Sequence, residues 1–137
     1  MNFFDLASQN FVITGGAGLL GQAVAEELVT AKASVLLVDH NQKALNSLNE
    51  NLKEIEPNAQ IQLCKLDVTK QADCQRIFND YQLSGAQKID GVIHCAYPRN
   101  QDWGTAFKDL NQFALNDNIG MQLGGSLLLA QSALDHF

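Results

Sequence analysis

The chain has 137 residues, 46% of them hydrophobic, which is enough for one domain with a core. Its formal net charge of −6 at pH 7, with no basic patch, argues against a nucleic-acid-binding scaffold. No apolar run is long enough to span a bilayer, and the first five residues do not begin a signal peptide. The three cysteines form no C-x-x-C pair, so we expect reduced thiols, a cytoplasmic location and no metal site.

The periodicity of apolar residues predicts strands and helices in alternation. Strands are predicted at about 10–14, 34–39, 60–66 and 89–95. Helical patterns lie between them at 19–29, 44–55 and 70–83, the second ended by Pro57-Asn58 and the third by Ser84-Gly85. This alternation predicts an α/β fold, a Rossmann-type doubly wound parallel sheet with strand order 3-2-1-4 and right-handed crossovers.

The last third of the chain raises a question about its extent. A polar loop at 97–104 is followed by a helical pattern from Thr105 to the end, with a break expected near 116–120. The strand order leaves the fourth strand at an open edge, and the chain stops where a crossover helix would lead to another strand. We therefore expect residues 1–137 to be one incomplete domain, the N-terminal part of a longer protein. The alternative is a natural compact domain that covers its edge by dimerising.

Gly16, Gly18 and Gly21 form a G-x-G-x-x-G motif between the first strand and the first helix. Such a turn lets the backbone approach a pyrophosphate, and the helix start presents free N–H groups to the negative charge. The motif alone is weak, but the order strand, turn, helix, second strand and acid is the context that it requires. The alternative is a tight strand-to-helix turn without a ligand.

Asp39 ends the second predicted strand, about 20 positions after Gly18, where a carboxylate is expected to bind the adenosine ribose. The alternative is a helix N-cap, a role that Asp favours. A carboxylate here repels a 2′-phosphate and no arginine stands nearby, so NAD is favoured over NADP. A protonated His40 would soften that repulsion.

With these features placed, the chain resembles the short-chain dehydrogenase/reductase family. Residues 14–21 resemble its glycine segment, with the spacing of Gly15, Gly18 and Gly21 typical of the extended, sugar-nucleotide-modifying branch. Residues 66–69 resemble the segment after the third strand, and 89–96 resemble the fourth strand with its Asn-Asn-Ala-Gly ending. An Ala-Tyr-Pro ending is similar to that of members that modify bacterial surface sugars or flagellin.

The resemblance implies a dinucleotide site in which Asp67 contacts adenine and Cys95 and Ala96 line the nicotinamide-ribose side. The cofactor-binding residues are then Gly15, Gly16, Gly18, Leu19, Leu20, Gly21, Asp39, Asp67, Val68, Cys95 and Ala96. Asp67 could instead cap the third helix, and Cys95 could be a small buried residue. The loop residues Arg99, Asp102 and Trp103 are read as solvated, with substrate contact as the alternative.

The family's catalytic residues are missing from this sequence. The two tyrosines, Tyr81 and Tyr97, are followed four places on by Gly85 and Gln101, so the Tyr-x-x-x-Lys pair is absent. Gln122 stands where members often carry an asparagine. His94 shows no Ser or Asp partner, and we assign no catalytic residue. The chain alone is expected to bind NAD weakly or not at all and to turn over no substrate.

The leading hypothesis is therefore the NAD(P)-binding part of a short-chain oxidoreductase. The parent enzyme would transfer hydride to or from an alcohol or ketone, with sugars among the candidate substrates. One alternative is a non-catalytic nucleotide-binding module, and another is a fragment of a nucleotide-sugar epimerase or dehydratase. The apolar final helix and the open fourth strand, together with the resemblance, predict a homo-oligomer. From the net charge and the lack of a long apolar run, no nucleic-acid or membrane partner is expected.

Overall fold

The fold is built on a parallel sheet of four strands, in a computed structural model that describes residues 5–83 and 88–137. The first four residues and the helix end predicted at Ser84-Gly85 lie outside the described residues. The strands are β1 (Asn10–Thr14), β2 (Ser34–Asp39), β3 (Ile61–Lys65) and β4 (Gly91–His94). Their order is β3-β2-β1-β4, which confirms the predicted 3-2-1-4 topology.

The strands are apolar because helices cover both faces of the sheet. In β2, five of the six residues are buried, from Val35 to Asp39. Strand β3 begins one residue later than predicted, and β4 begins two residues later. Each strand also ends one residue earlier than predicted. Within the described residues β4 pairs with β1 alone, so it forms one edge of the sheet.

Three helices cross between the strands: α1 (Leu19–Thr30), α2 (Gln42–Ile55) and α3 (Gln71–Leu83). Helix α2 begins two residues before its predicted start because the Asn41 side chain caps it, accepting a hydrogen bond from Ala44 N at 3.1 Å. Asn41, not Asp39, is therefore the N-cap. This leaves the Asp39 carboxylate for other partners.

The helices form two hydrophobic clusters, one on each face of the sheet. On one face, α1 and α2 contribute Ala25, Val29, Leu45, Leu48 and Leu52, which pack with Ile13 and Leu37. On the other face, Ile77 and Phe78 of α3 pack with Leu129 and with Val12 and Leu36 of the sheet. Burying each of these large side chains contributes about 1.5–3 kcal/mol, and the two layers hold the carboxyl ends of the strands in place.

The C-terminal segment differs in detail from the helical pattern predicted from Thr105 to the end. A short 3₁₀ turn (Phe107–Asp109) comes first, and helix α4 (Gln112–Ile119) begins only where the Asn111 side chain accepts a hydrogen bond from Ala114 N. Helix α5 (Gly125–Ala133) and a 3₁₀ turn (Leu134–His136) complete it.

The break predicted near 116–120 is wrong. Gly120 has helical dihedral angles, with φ −59° and ψ −43°, and its N–H bonds to the carbonyls of Asn116 and Asp117. The chain instead widens into one π-helical turn (Gly120–Gly124) and continues directly into α5. Such turns are rare and often occur at functional sites.

No helix in the described ranges combines the length and apolar character needed to cross a membrane. Cys64, Cys74 and Cys95 remain free thiols.

Candidate functional site

The carboxyl ends of the strands surround a cavity of about 670 Å³. This edge of an open α/β sheet is where ligands bind. Four segments that are distant in sequence meet here: the glycine turn, the end of β2, the residues after β3 and the residues after β4. The lining residues are Gly15, Gly18, Leu19, Leu20, Val38, Asp39, His40, Leu66, Asp67, Val68, Thr69, Cys95, Ala96, Tyr97, Pro98, Arg99 and Met121.

The glycine turn is close-packed against β4. Gly15 has φ +64°, and a Cβ built on it would lie 2.5 Å from Ala96 N. A Cβ on Gly21 would overlap the carbonyl oxygen of Gly15. The absence of these side chains lets β1, the start of α1 and the end of β4 come together, so that the backbone itself forms the floor of the cavity.

The first turn of α1 offers unused donors to the cavity. Gly18 is the N-cap and has no side chain to satisfy them, and the turn contains no acidic residue. Within the part of the chain that the structure describes, the N–H groups of Leu19 and Leu20 have no protein acceptor. The Leu19 and Leu20 side chains are 89% and 69% exposed at the rim. This end of the helix suits an anion with an apolar neighbour.

Gly16 and Gly21 do not line the cavity, although they belong to the predicted set. The N–H of Gly16 donates to Val38 O at 3.0 Å, and a Cβ there would lie 3.3 Å from the Leu37 Cβ. Gly21 lies beneath the turn against Gly15. Both residues shape the turn from below.

The Asp39 carboxylate joins the end of β2 to the glycine turn. It accepts hydrogen bonds from Ala17 N at 3.2 Å and from Asn41 N at 3.0 Å, while its side chain is almost fully buried. The exposed His40 ring lies 3.3 Å from it through Nδ1. A carboxylate has about four lone-pair sites, so acceptor capacity remains for a ligand hydroxyl in the cavity.

Asp67 and Val68 form the wall beyond β3. Burial opposes ionisation of Asp67, but hydrogen bonds from the Thr69 hydroxyl (2.7 Å) and N–H (3.0 Å), together with Lys70, outweigh it and hold the Asp67 pKa below its usual value. These bonds form before α3 begins at Gln71. The carboxylate therefore orders the loop that faces the cavity.

At the end of β4, Cys95 and Ala96 line the cavity close to Gly15. The N–H of Cys95 donates to Thr14 O at 2.9 Å. Burial raises the pKa of the Cys95 thiol, so it stays protonated and unreactive at neutral pH.

His94 has a partner that its sequence neighbourhood did not indicate. Its Nδ1 lies 2.6 Å from the hydroxyl of the buried Thr14, on the adjacent strand. Partial burial lowers the pKa of His94, so the ring is neutral at pH 7. This pairing is a strand-to-strand hydrogen bond, and we assign it no catalytic role.

The loop after β4 contributes residues that sequence reasoning left out. Tyr97, Pro98 and Arg99 line the cavity, whereas Asp102 and Trp103 do not. Arg99 lines the cavity and is also exposed, so its solvated reading and the alternative, substrate contact, both stay predictions. The signal available for Tyr97 and Pro98 was their position directly after a strand's carboxyl end. Met121 reaches the cavity from the π-helical turn, and no local pattern could have found it. Across residues 5–83 and 88–137, no cluster of His, Cys, Asp or Glu could hold a metal ion.

A sequence model described as short chain dehydrogenase matches residues 9–137. The chain belongs to the short-chain dehydrogenase family. It is 26% identical over 133 residues to a post-translational flagellin modification protein A from Campylobacter coli, a match that covers 96% of this chain and 51% of that protein.

Solved structures share the fold. A short-chain dehydrogenase/reductase from Brucella melitensis, described as a glucose/ribitol dehydrogenase, superposes with a TM-score of 0.84 at 22% identity, over 98% of this chain and 54% of that one. An NAD⁺-bound xylitol dehydrogenase superposes with a TM-score of 0.80 at 18% identity, over 96% and 48%. The chain thus spans about half the length of these proteins.

Proposed function

We propose that this chain is the cofactor-binding part of an NAD-dependent oxidoreductase that transfers hydride to or from an alcohol or ketone. The observation that carries the proposal is the meeting, in one cavity, of uncapped helix N–H groups, a buried acid at the end of β2 and the end of β4. Free donors suit a diphosphate, and a buried acceptor suits a ribose hydroxyl. The bound nicotinamide ring would supply the hydride chemistry.

In this proposal each wall of the cavity has one task. The N–H groups of Leu19 and Leu20 bind the diphosphate, for which Gly15 and Gly18 leave room. Asp39 accepts a hydrogen bond from the adenosine ribose, and Asp67 and Val68 bound the adenine. Cys95 and Ala96 lie beside the nicotinamide ribose.

NAD is the favoured cofactor because Asp39 would face a 2′-phosphate with a like charge. Among the described residues, the side chain that pairs with Asp39 is the exposed His40, which is a cation only when it is protonated.

The proton-transfer group of the reaction is not assigned to this chain. Tyr81 is buried in the core between α3 and the sheet, where burial and the Asp90 carboxylate raise its pKa. Tyr97 lines the cavity without a lysine four residues on. We therefore expect cofactor binding without turnover.

Weak binding is best tested by saturation-transfer NMR on the purified chain with NAD, ADP-ribose and NADP. We expect saturable magnetisation transfer to NAD and to ADP-ribose, and weaker transfer to NADP. Equal binding to an Asp39→Ala variant, or no transfer to either ligand, would refute the proposed site. Dehydrogenase activity of the chain alone would refute its non-catalytic assignment.

We also propose a homo-oligomer in the cytoplasm. Exposed apolar side chains follow one another along α4, the π-helical turn, α5 and the final 3₁₀ turn, namely Leu115, Ile119, Leu123, Leu127 and Leu134. Such a stripe is unusual on a monomer. Free cysteines fit a reducing compartment. A light-scattering mass equal to one chain would contradict association.

A further inference from the structure

We infer that the loop after β4 is a substrate-binding platform, and that its ligand is a sugar bearing an anionic group. This inference rests on the proposed function, because it assigns the substrate class of the same cavity. The platform is defined as Tyr97, Arg99 and Trp103. It combines three features: an ordered loop, an exposed aromatic pair and a cation with no ion-pair partner among the described residues.

The loop is fastened to α4 by paired asparagines. Asn118 is buried and donates through Nδ2 to Asn100 Oδ1 at 2.8 Å, while the backbone N–H of Asn100 donates to Asn118 Oδ1 at 3.1 Å. Asn100 Nδ2 also donates to Asp117 at 2.8 Å. Further turns follow at Asp102, whose carbonyl accepts hydrogen bonds from Thr105. A loop held in this way loses little conformational entropy when a ligand binds.

Two large aromatic rings stand on this ordered loop and face outward. Tyr97 and Trp103 pack edge to face with ring centroids 5.3 Å apart, yet they remain 57% and 45% exposed. Tyr97 lines the cavity beside Cys95 and Ala96. Rigid aromatic surface that is left open beside a cavity, with polar tips on both rings, is suited to an amphipathic ring.

Arg99 gives the platform its charge. It lines the cavity, and among the described residues it forms no ion pair or side-chain hydrogen bond. The acids of the cavity are Asp39 at the end of β2 and Asp67 just after β3, on the other side of β1 from β4. A guanidinium alone at the β4 side favours a phosphate or a carboxylate on the ligand.

A sugar fits this set better than an apolar alcohol does. The chain neighbours of the aromatic pair include Arg99, Gln101 and Asp102, whose side chains form no hydrogen bond or ion pair with the described residues, so a steroid or terpene would face unmatched polar groups. A sugar places C–H groups on the rings and hydroxyls toward these side chains. The anionic substituent then pairs with Arg99.

Trp103 is the one tryptophan in the sequence, so its fluorescence reports on the platform directly. The purified chain is titrated with glucose 6-phosphate, glucuronate, glucose and cyclohexanol. We expect the Trp103 fluorescence to change saturably with glucose 6-phosphate or glucuronate. Glucose should bind at least threefold more weakly, and cyclohexanol should not bind. The two anionic probes distinguish a phosphate from a carboxylate.

Variants separate stacking from charge. Tyr97→Ala should weaken binding of the anionic sugar about three- to tenfold, and Tyr97→Phe should restore it because the ring is kept. Arg99→Gln should weaken it about tenfold and abolish the preference over glucose, with Arg99→Lys intermediate. Phe107→Ala is the matched control, since Phe107 is the most exposed aromatic side chain nearby and does not line the cavity.

The inference would be overturned if no sugar changed the fluorescence, or if cyclohexanol bound as tightly as glucose 6-phosphate. Unchanged binding in both Tyr97→Ala and Arg99→Gln would also overturn it. The NAD measurement is made on the same sample by saturation transfer. If the chain binds NAD but no sugar, only the platform is refuted. If the chain does not bind NAD, the proposed cofactor site is refuted.

Discussion

The Asp39 carboxylate accepts a hydrogen bond from the backbone N–H of Ala17, so the last residue of β2 is tied to the turn between β1 and α1. A second bond, from Asn41 N, ties it to the start of α2. One side chain thus fixes the separation of two helix N-termini at the mouth of the cavity. Its role as an anchor of the fold and its proposed role as a ribose acceptor can be separated by substitution.

Replacing Asp39 by Asn removes the charge and keeps the shape. We expect NAD affinity to fall about tenfold and the preference over NADP to disappear, because the amide no longer repels a 2′-phosphate. Calorimetric or NMR titration with both cofactors measures the change. Glu50→Gln removes one charge from the exposed face of α2 and should leave both affinities unaltered.

Gly15→Ala should destabilise the chain by about 2–5 kcal/mol in urea unfolding. The added Cβ meets Ala96 N at 2.5 Å and the residue must keep a φ of +64°. Gly104→Ala separates the two causes, because Gly104 has φ +95° but no atom of the described residues within 4 Å of the new Cβ. The Gly104→Ala variant should lose about 1 kcal/mol of unfolding free energy. Equal losses at both positions would contradict the close packing against β4.

The Asn118 amide is the buried end of the loop fastening. Asn118→Ala leaves Asn100 without two partners and should cost about 1–3 kcal/mol. It should also loosen residues 97–104, which amide hydrogen exchange detects as faster exchange at Asn100 and Asp102. The exposed Asn116→Ala on the same helix is the control. A loss of stability without faster exchange in the loop would show that Asn118 supports only the helix.

Asp67 makes an acid-dependent contribution to stability. Its pKa is lower in the fold than in the unfolded chain, so the contribution is complete above the unfolded value of about 3.9 and is lost as pH falls through the lower folded value. The difference in unfolding free energy between the parent and Asp67→Asn should therefore shrink between pH 5 and pH 3. Asp109→Asn, in the exposed 3₁₀ turn, gives the background. If the difference in unfolding free energy grew on acidification, the pKa of Asp67 would be raised in the fold instead of lowered.

The features predicted correctly from sequence depend on local patterns. The periodicity of apolar residues predicts the strands and the first three helices. The spacing of Gly15, Gly18 and Asp39 predicts that the glycine turn and the acid lie at the same edge of the sheet. The features missed depend on contacts between distant residues. Asn100 meets Asn118 across the chain, and Met121 reaches the cavity through a π-helical turn. Neither is visible in a single window of sequence. The late start of α4 has a local cause that the periodicity did not show, because Asn111 caps the helix through Ala114.

The position of β1 between β2 and β4 sorts the lining residues of the single cavity into two groups, here called compartments, with separate supports. The acids and the first two crossover helices belong to one compartment, and the loop fastened to α4 belongs to the other. Under the proposed function, substitutions in residues 97–104 can therefore change substrate binding without changing the binding of the adenosine half of the cofactor. In a fold arranged in this way, residues of one compartment can be substituted without changing the residues of the other.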